Sequence, residues 1–189
     1  MKIPFIASVL FVLLAINGCA SSRSDYMGDM NFFDISTATM KTKPIGSVDY
    51  GESRKFKITN SSPNLETDGN KGKYEIFHVS GTQGRPYFIS VVAICDCLGF
   101  RKQSIIPIIY LLKKNGEMLQ RGTQVTPTAQ YVSGKFPSSE DYFVLIIADT
   151  TKEGESVGRL DVDPVRSISI ALTAANTGTA FINWEKKTP

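Results

Sequence analysis

The chain has little of what enzymes use. Its 189 residues include one histidine, so any Ser-His-Asp arrangement has to be built on His78, and no Gly-x-Ser-x-Gly elbow occurs to hold the nucleophile. The acidic residues Glu140, Asp141, Glu153, Glu155, Asp161 and Asp163 collect in segments read as loops and offer no paired carboxylates for glycoside hydrolysis. Three cysteines are present, and no metal-ligand spacing connects them to His78. These absences point away from an enzyme, a metal site and a cofactor. Basic and acidic residues nearly balance, at a formal net charge of +3, and no basic run interleaved with aromatics appears, which argues against nucleic acid as a partner. No amphipathic helix of three turns is visible, which leaves strands to build the core.

What is present begins at the first residue. Lys2 supplies one positive charge, Ile3 to Ile16 is an almost unbroken apolar run, and small residues follow. That order is the pattern of a secretory signal peptide. As a helix the run would rise about 21 Å at ~1.5 Å per residue, short of a ~30 Å hydrocarbon core, so a permanent transmembrane anchor is the weaker reading. Ile16-Asn17-Gly18-Cys19 resembles the bacterial lipobox. The resemblance implies cleavage after Gly18 and acylation of Cys19 with fatty acids such as palmitate. Each buried CH₂ contributes about 0.8 kcal/mol, and several chains together make a stable anchor. Ala20-Ser21 lacks the aspartate retention signal of such lipoproteins, which implies the outer membrane, with the domain in the periplasm. An ordinary secretory leader with an unmodified Cys19 is the competing reading.

Three regions follow: the signal peptide at 1–18, a lipidated tether at 19–45, and one domain at 46–189. In the tether, Ser21 to Asp25 and Ser36 to Thr39 are small and polar, with no apolar period. Asn31-Phe32-Phe33 stands out as a segment that docks on the domain or on a partner. Within the domain, Arg54 to Thr59, Tyr74 to Ser80, Ala129 to Phe136, Ser167 to Thr173 and Thr179 to Trp184 read as strands. Pro86 to Cys95 and Asp141 to Asp149 are apolar on both faces, which predicts central strands covered on both sides. Pro107 marks a strand start or bulge. Asn115-Gly116 predicts a two-residue hairpin turn. Residues 60–73 and 150–166 read as long loops. About eight short strands punctuated by Gly, Pro and Asn predict an all-β, antiparallel, jelly-roll-like sandwich.

Tyr87 to Val91, Pro107 to Leu112 with Asn115-Gly116, Val132 to Phe136 and Tyr142 to Ile146 occur in an order that resembles the maltose-operon periplasmic protein family and the bacterial pre-peptidase C-terminal domains. The resemblance covers about Val48 to Asp149 and rests on core and turn patterns. It implies a non-catalytic envelope module linked to carbohydrate handling and carries no catalytic residues. The insert Cys95 to Phe100 has no place in that pattern.

The remaining candidates follow from single residues. With Cys19 lipidated, Cys95 and Cys97 are the thiols left, and an oxidising compartment favours a disulfide between them with the chain bent at Asp96. His78 reads as a hydrogen-bonded strand histidine. Asp161 and Asp163 share one side of an extended segment, but the glycine turn and distal glutamate of a calcium loop are missing. Phe100, Tyr131 and Trp184 are candidate partner-binding aromatics, able to stack on sugars if exposed. The expected function is that of a non-enzymatic outer-membrane lipoprotein whose sandwich binds or stabilises an envelope protein or glycan, accessory to carbohydrate uptake. The loops at 60–73 and 150–166 are its expected contact surface. A secretion-system accessory or a periplasmic inhibitor is the alternative.

Overall fold

The computed structural model describes residues 30–67, 69–97, 102–163 and 168–186, with the backbone alone at 160–163 and 168–169. The leader, Cys19 and Phe100 lie outside the described residues. In chain order the elements are β1 (Asn31–Phe32), α1 (Ile35–Lys41), β2 (Gly46–Ser47), β3 (Ser53–Ile58), β4 (Asn64–Thr67) and β5 (Asn70–Ser80). Next come β6 (Pro86–Ile94), β7 (Gln103–Ile105), β8 (Pro107–Lys113), β9 (Met118–Arg121), β10 (Thr123–Thr126) and β11 (Ala129–Lys135). The last are β12 (Asp141–Asp149), β13 (Ser156–Asp163), β14 (Ile168–Ala175) and β15 (Gly178–Trp184).

The fold is an all-β sandwich. Sheet I is seven-stranded, in the order β1-β4-β5-β12-β8-β9 with β2 added beside β5. Sheet II is five-stranded, in the order β10-β11-β6-β15-β3, and sheet III joins β13, β14 and β7. Pairing is antiparallel except at β1·β4, β2·β5 and β14·β7. Period-2 alternation explains how the two large sheets meet. Ile89, Val91, Val132, Ala180, Ile182, Phe56 and Ile58 point inward from sheet II. Phe77, Val79, Ile109, Leu111, Val144 and Ile146 meet them from sheet I.

Sheet I is covered on its other face too. Tyr74, Ile76, Ile108, Tyr110, Leu112, Leu145 and Ile147 point there and pack under Phe32, Ile35 and Ala38 of the N-terminal segment. The segment read as tether is therefore part of the domain from Met30 onward. β1 pairs with β4, and α1 lies across the sheet. Asp34 caps α1, accepting from the Ser36 and Thr37 amides at 3.1 and 2.6 Å. At the other end the Thr42 and Tyr74 hydroxyls meet at 2.6 Å in a buried contact. Ala38 is completely buried, which lets the helix sit close to the strands.

Several sequence expectations change. The described residues hold fifteen strands instead of about eight, because many strands are very short and two segments read as loops contain strands. β4 and the start of β5 occupy most of 60–73, and β13 occupies Ser156–Asp163, paired to β14. A third sheet accompanies the two layers of the expected jelly roll. β12 is buried on both faces as expected, whereas β6 is covered on one face only. The hairpin β8–β9 turns through Lys114–Gly116, with Gly116 N–H to Lys113 O at 2.9 Å and Lys113 N–H to Glu117 O at 2.8 Å. This is the three-residue loop with a left-handed glycine, not a two-residue turn. Gly116 has φ 81°, and a Cβ there would lie 2.6 Å from Ser36 Cα in α1, so the turn and the docked helix both require glycine.

Candidate functional site

Sheet II leaves its outer face open to a degree that sheet I does not. β6, β11 and β15 present Phe88, Ser90, Val92, Tyr131, Ser133, Phe181 and Asn183 outward, half-buried or exposed, with Val92 at 39%. The register places them in rows. Tyr131, Ser90, Asn183 and Ser53 lie opposite one another across four strands, and Ala129, Val92, Phe181 and Lys55 form the next row. Phe88 and Tyr131 stack across β6 and β11 with ring centroids 4.9 Å apart at 17°. Such a pair contributes roughly 0.5–1.5 kcal/mol beyond its area and holds the two rings nearly parallel. In the polar row Ser53 Oγ donates to Asn183 Oδ1 at 2.5 Å, and Asn183 Nδ2 donates to Ser90 Oγ at 3.4 Å.

Within the five strands the charge has one sign. No Asp or Glu occurs in β3, β6, β10, β11 or β15. Lys55 and Lys57 point outward from β3, and Lys135 ends β11, all three exposed. No salt bridge among the described residues engages them. Arg54 is used internally, donating from Nη1 to Ser47 O at 2.7 Å. Two carboxylates adjoin the strands: Glu185 is exposed, with its amide donating to Phe88 O at 3.0 Å, and Asp96 lines a hollow with Lys57 and Thr179.

The candidate aromatics separate. Tyr131 lies on the open face. Trp184 does not: it is 2% exposed, edge-on to Tyr50 and Phe136 at 5.7 Å each, because Ala180, Ile182 and Trp184 share the inward side of β15. Its indole N–H is buried without a partner among the described residues. It is a core residue and is not available to stack on a ligand. Phe88, Phe181, Lys55 and Lys57 were not singled out in the sequence. Their signal was the alternation of β3 and β15, readable once the inward side is known.

His78 Nε2 meets Asp141 Oδ1 at 2.9 Å, with the imidazole edge-on to Phe143, and so ties β5 to β12. Cys95 and Cys97 form a disulfide with Cα atoms 5.1 Å apart, just past the end of β6. Between them Asp96 bridges to Gln103. Asp161 and Asp163 lie in β13. Burial pushes the Tyr74 phenol up to about 12, against the lowering effect of its hydrogen bond with Thr42. Burial, and then Tyr142, also raises Tyr87, whose hydroxyl donates to Gln120 at 3.0 Å. Among the described residues no helix is long and apolar enough to cross a membrane.

No family model and no curated protein sequence matches the chain. Among solved structures it is similar to the pre-peptidase C-terminal domain of a collagenase from Bacillus anthracis, at 7% identity and a TM-score of 0.42 over 76% of this chain and 98% of that one. It is also similar to PliG of Aeromonas hydrophila, a periplasmic inhibitor of g-type lysozyme, at 10% identity and a TM-score of 0.31 over 76% and 99%. Both likenesses are of β-rich architecture and bear on nothing finer.

Proposed function

We propose that the chain is a non-catalytic outer-membrane lipoprotein, anchored through acylated Cys19, whose sandwich holds an envelope partner on the outer face of sheet II. The observation that carries this reading is the difference between the two large sheets. Sheet I is covered by sheet II on one side and by α1 and the Phe32 side chain on the other, whereas sheet II keeps stacked aromatics, Val92 and Phe181 at the surface. An apolar cluster rimmed by polar side chains marks an interaction surface more often than a solvated one. The face sits on a rigid layer, so its side chains are already arranged for a partner. On this reading the contact surface moves from the segments at 60–73 and 150–166, much of which is strand, to the sheet II face.

The test is site-specific photo-crosslinking in the native envelope. A crosslinker at Phe88, Tyr131 or Phe181 is expected to capture one recurrent partner, and one at Met40 on α1 is not. Silence from all three positions, with capture from Met40, overturns the assignment of the face. Mass measurement of the mature chain tests the anchor. An unmodified Cys19 thiol removes the lipoprotein part of the proposal and leaves the face standing.

A further inference from the structure

Resting on that reading, we infer that the occupant of the sheet II face is an acidic glycan, a polymer of carboxylate-bearing sugars laid across the strands. Charge is the first argument. The five strands hold no carboxylate, and their three outward lysines have no ion-pair partner among the described residues. An anionic ligand meets attraction at Lys135 on one margin and at Lys55 and Lys57 on the other, against the exposed carboxylates of Glu185, beside Phe88, and Asp96, near Lys57.

The middle of the face supplies the second argument. A polyanion that is read by charge alone needs no rings, yet the path between the lysines crosses the Phe88–Tyr131 stack and then Phe181. Sugar rings offer C–H faces to such a platform and hydroxyls to a row of small polar groups. Tyr131, Ser90, Asn183 and Ser53 form that row. With strands ~4.8 Å apart and ~3.4 Å per residue, the diagonal from Lys135 to Lys57 spans about 30 Å, the length of several sugar rings. The surface is flat and open, which suits the side of a chain better than a small molecule held by its end.

An anionic bilayer also favours lysine and aromatic residues, and binding to vesicles separates it from the glycan in the experiment below. Met30 lies at the β1 edge of sheet I, where its carbonyl accepts from the Asn64 amide at 2.9 Å.

The experiment uses the full lipidated protein in detergent micelles, with polygalacturonate as the acidic probe. Dextran serves as the neutral polymer, polyglutamate as the carboxylate polymer without rings, and vesicles containing phosphatidylglycerol as the bilayer. Polygalacturonate is expected to bind and to weaken as salt rises from about 0.05 to about 0.5 M. Dextran and polyglutamate are each expected to bind about tenfold or more weakly. Lys55→Glu with Lys57→Glu, and separately Tyr131→Ala, are expected to lose about tenfold or more for polygalacturonate with the thermal midpoint nearly unchanged. Equal binding of polyglutamate, or loss on charge reversal with none on Tyr131→Ala, reduces the face to a polyanion adhesive and overturns the inference. So does tighter binding of the vesicles through the same residues. If polygalacturonate fails to bind while photo-crosslinks from Tyr131 still capture a protein, the glycan is refuted and the binding face survives.

Discussion

If residues 30–42 are part of the domain, the buried contact between Thr42 and Tyr74 couples the end of α1 to the centre of β5. The two hydroxyls stand 2.6 Å apart, and both residues are almost fully buried, at 3% and 0% exposure. Thr42→Val keeps the shape of the side chain and strands the Tyr74 hydroxyl in an apolar layer. Tyr74→Phe strands Thr42 in the same way. Each single change is expected to cost about 1–3 kcal/mol, the penalty of a buried polar group without its partner. The double variant removes both groups, so it is expected to fall short of the sum by about 1 kcal/mol or more. Equilibrium urea unfolding reads this directly, through midpoints at constant slope. Additive costs, within about 0.5 kcal/mol, would refute the docking of α1. The same pair has a pH signature. Burial raises the folded-state Tyr74 phenol to about 12, above the ~10 of an exposed tyrosine, so the neutral phenol is the form the fold favours. Its contribution is complete below the unfolded value and is lost as pH climbs through the folded one. The protein is therefore expected to weaken between those limits, and Tyr74→Phe to weaken less over the same interval.

Two further outcomes are expected. Asp34→Ala should cost about 1 kcal/mol as loss of an N-cap. Because its hydrogen bonds with Thr37, then Ser36, hold the Asp34 carboxyl below the usual range, that difference should disappear on acidification through the folded-state value, and an unaltered melting midpoint at neutral pH would remove the cap. Trp184→Ala should cost about 3–5 kcal/mol as a large core truncation while leaving crosslinks from Tyr131 intact below the melting transition. Lost crosslinks in a folded Trp184→Ala would return Trp184 to the binding surface.

The strands of the sandwich were legible where one side chain in two is apolar. Phe56 and Ile58 in β3, and Ala180, Ile182 and Trp184 in β15, declare their side of the sheet by parity alone. Strands with apolar residues on both sides, β6 and β12, look alike in sequence. They differ in structure because α1 covers one face of sheet I, and nothing among the described residues buries the outer face of sheet II to that degree. Residue type alone makes Trp184 a surface candidate, whereas the parity it shares with Ala180 and Ile182 places it inward and Phe181 outward. α1 escaped notice because two helical turns built around Ile35 and Ala38 contain too few apolar residues to show a period. β13 escaped because its glycine and charged residues carry the composition of a loop, and its strand form comes from pairing with β14. Lys55 and Lys57 looked like ordinary solvated positions. Their meaning appears only when the register shows that the five strands around them hold no carboxylate.

The parallel seam between β1 and β4 has a mechanical side. Two residues of pairing, Asn31 with Asn64 and Phe32 with Leu65, hold the segment that leads to Cys19. If that residue sits in a membrane while the sheet II face grips a polymer, tension between the two runs through this short seam first, ahead of the broad ladders of β5, β12 and β8. Its release, followed by that of α1, would lengthen the leash by about 40 Å at ~3.5 Å per residue while leaving both large sheets closed. The domain would yield to a pull by extending its reach before it surrendered its grip.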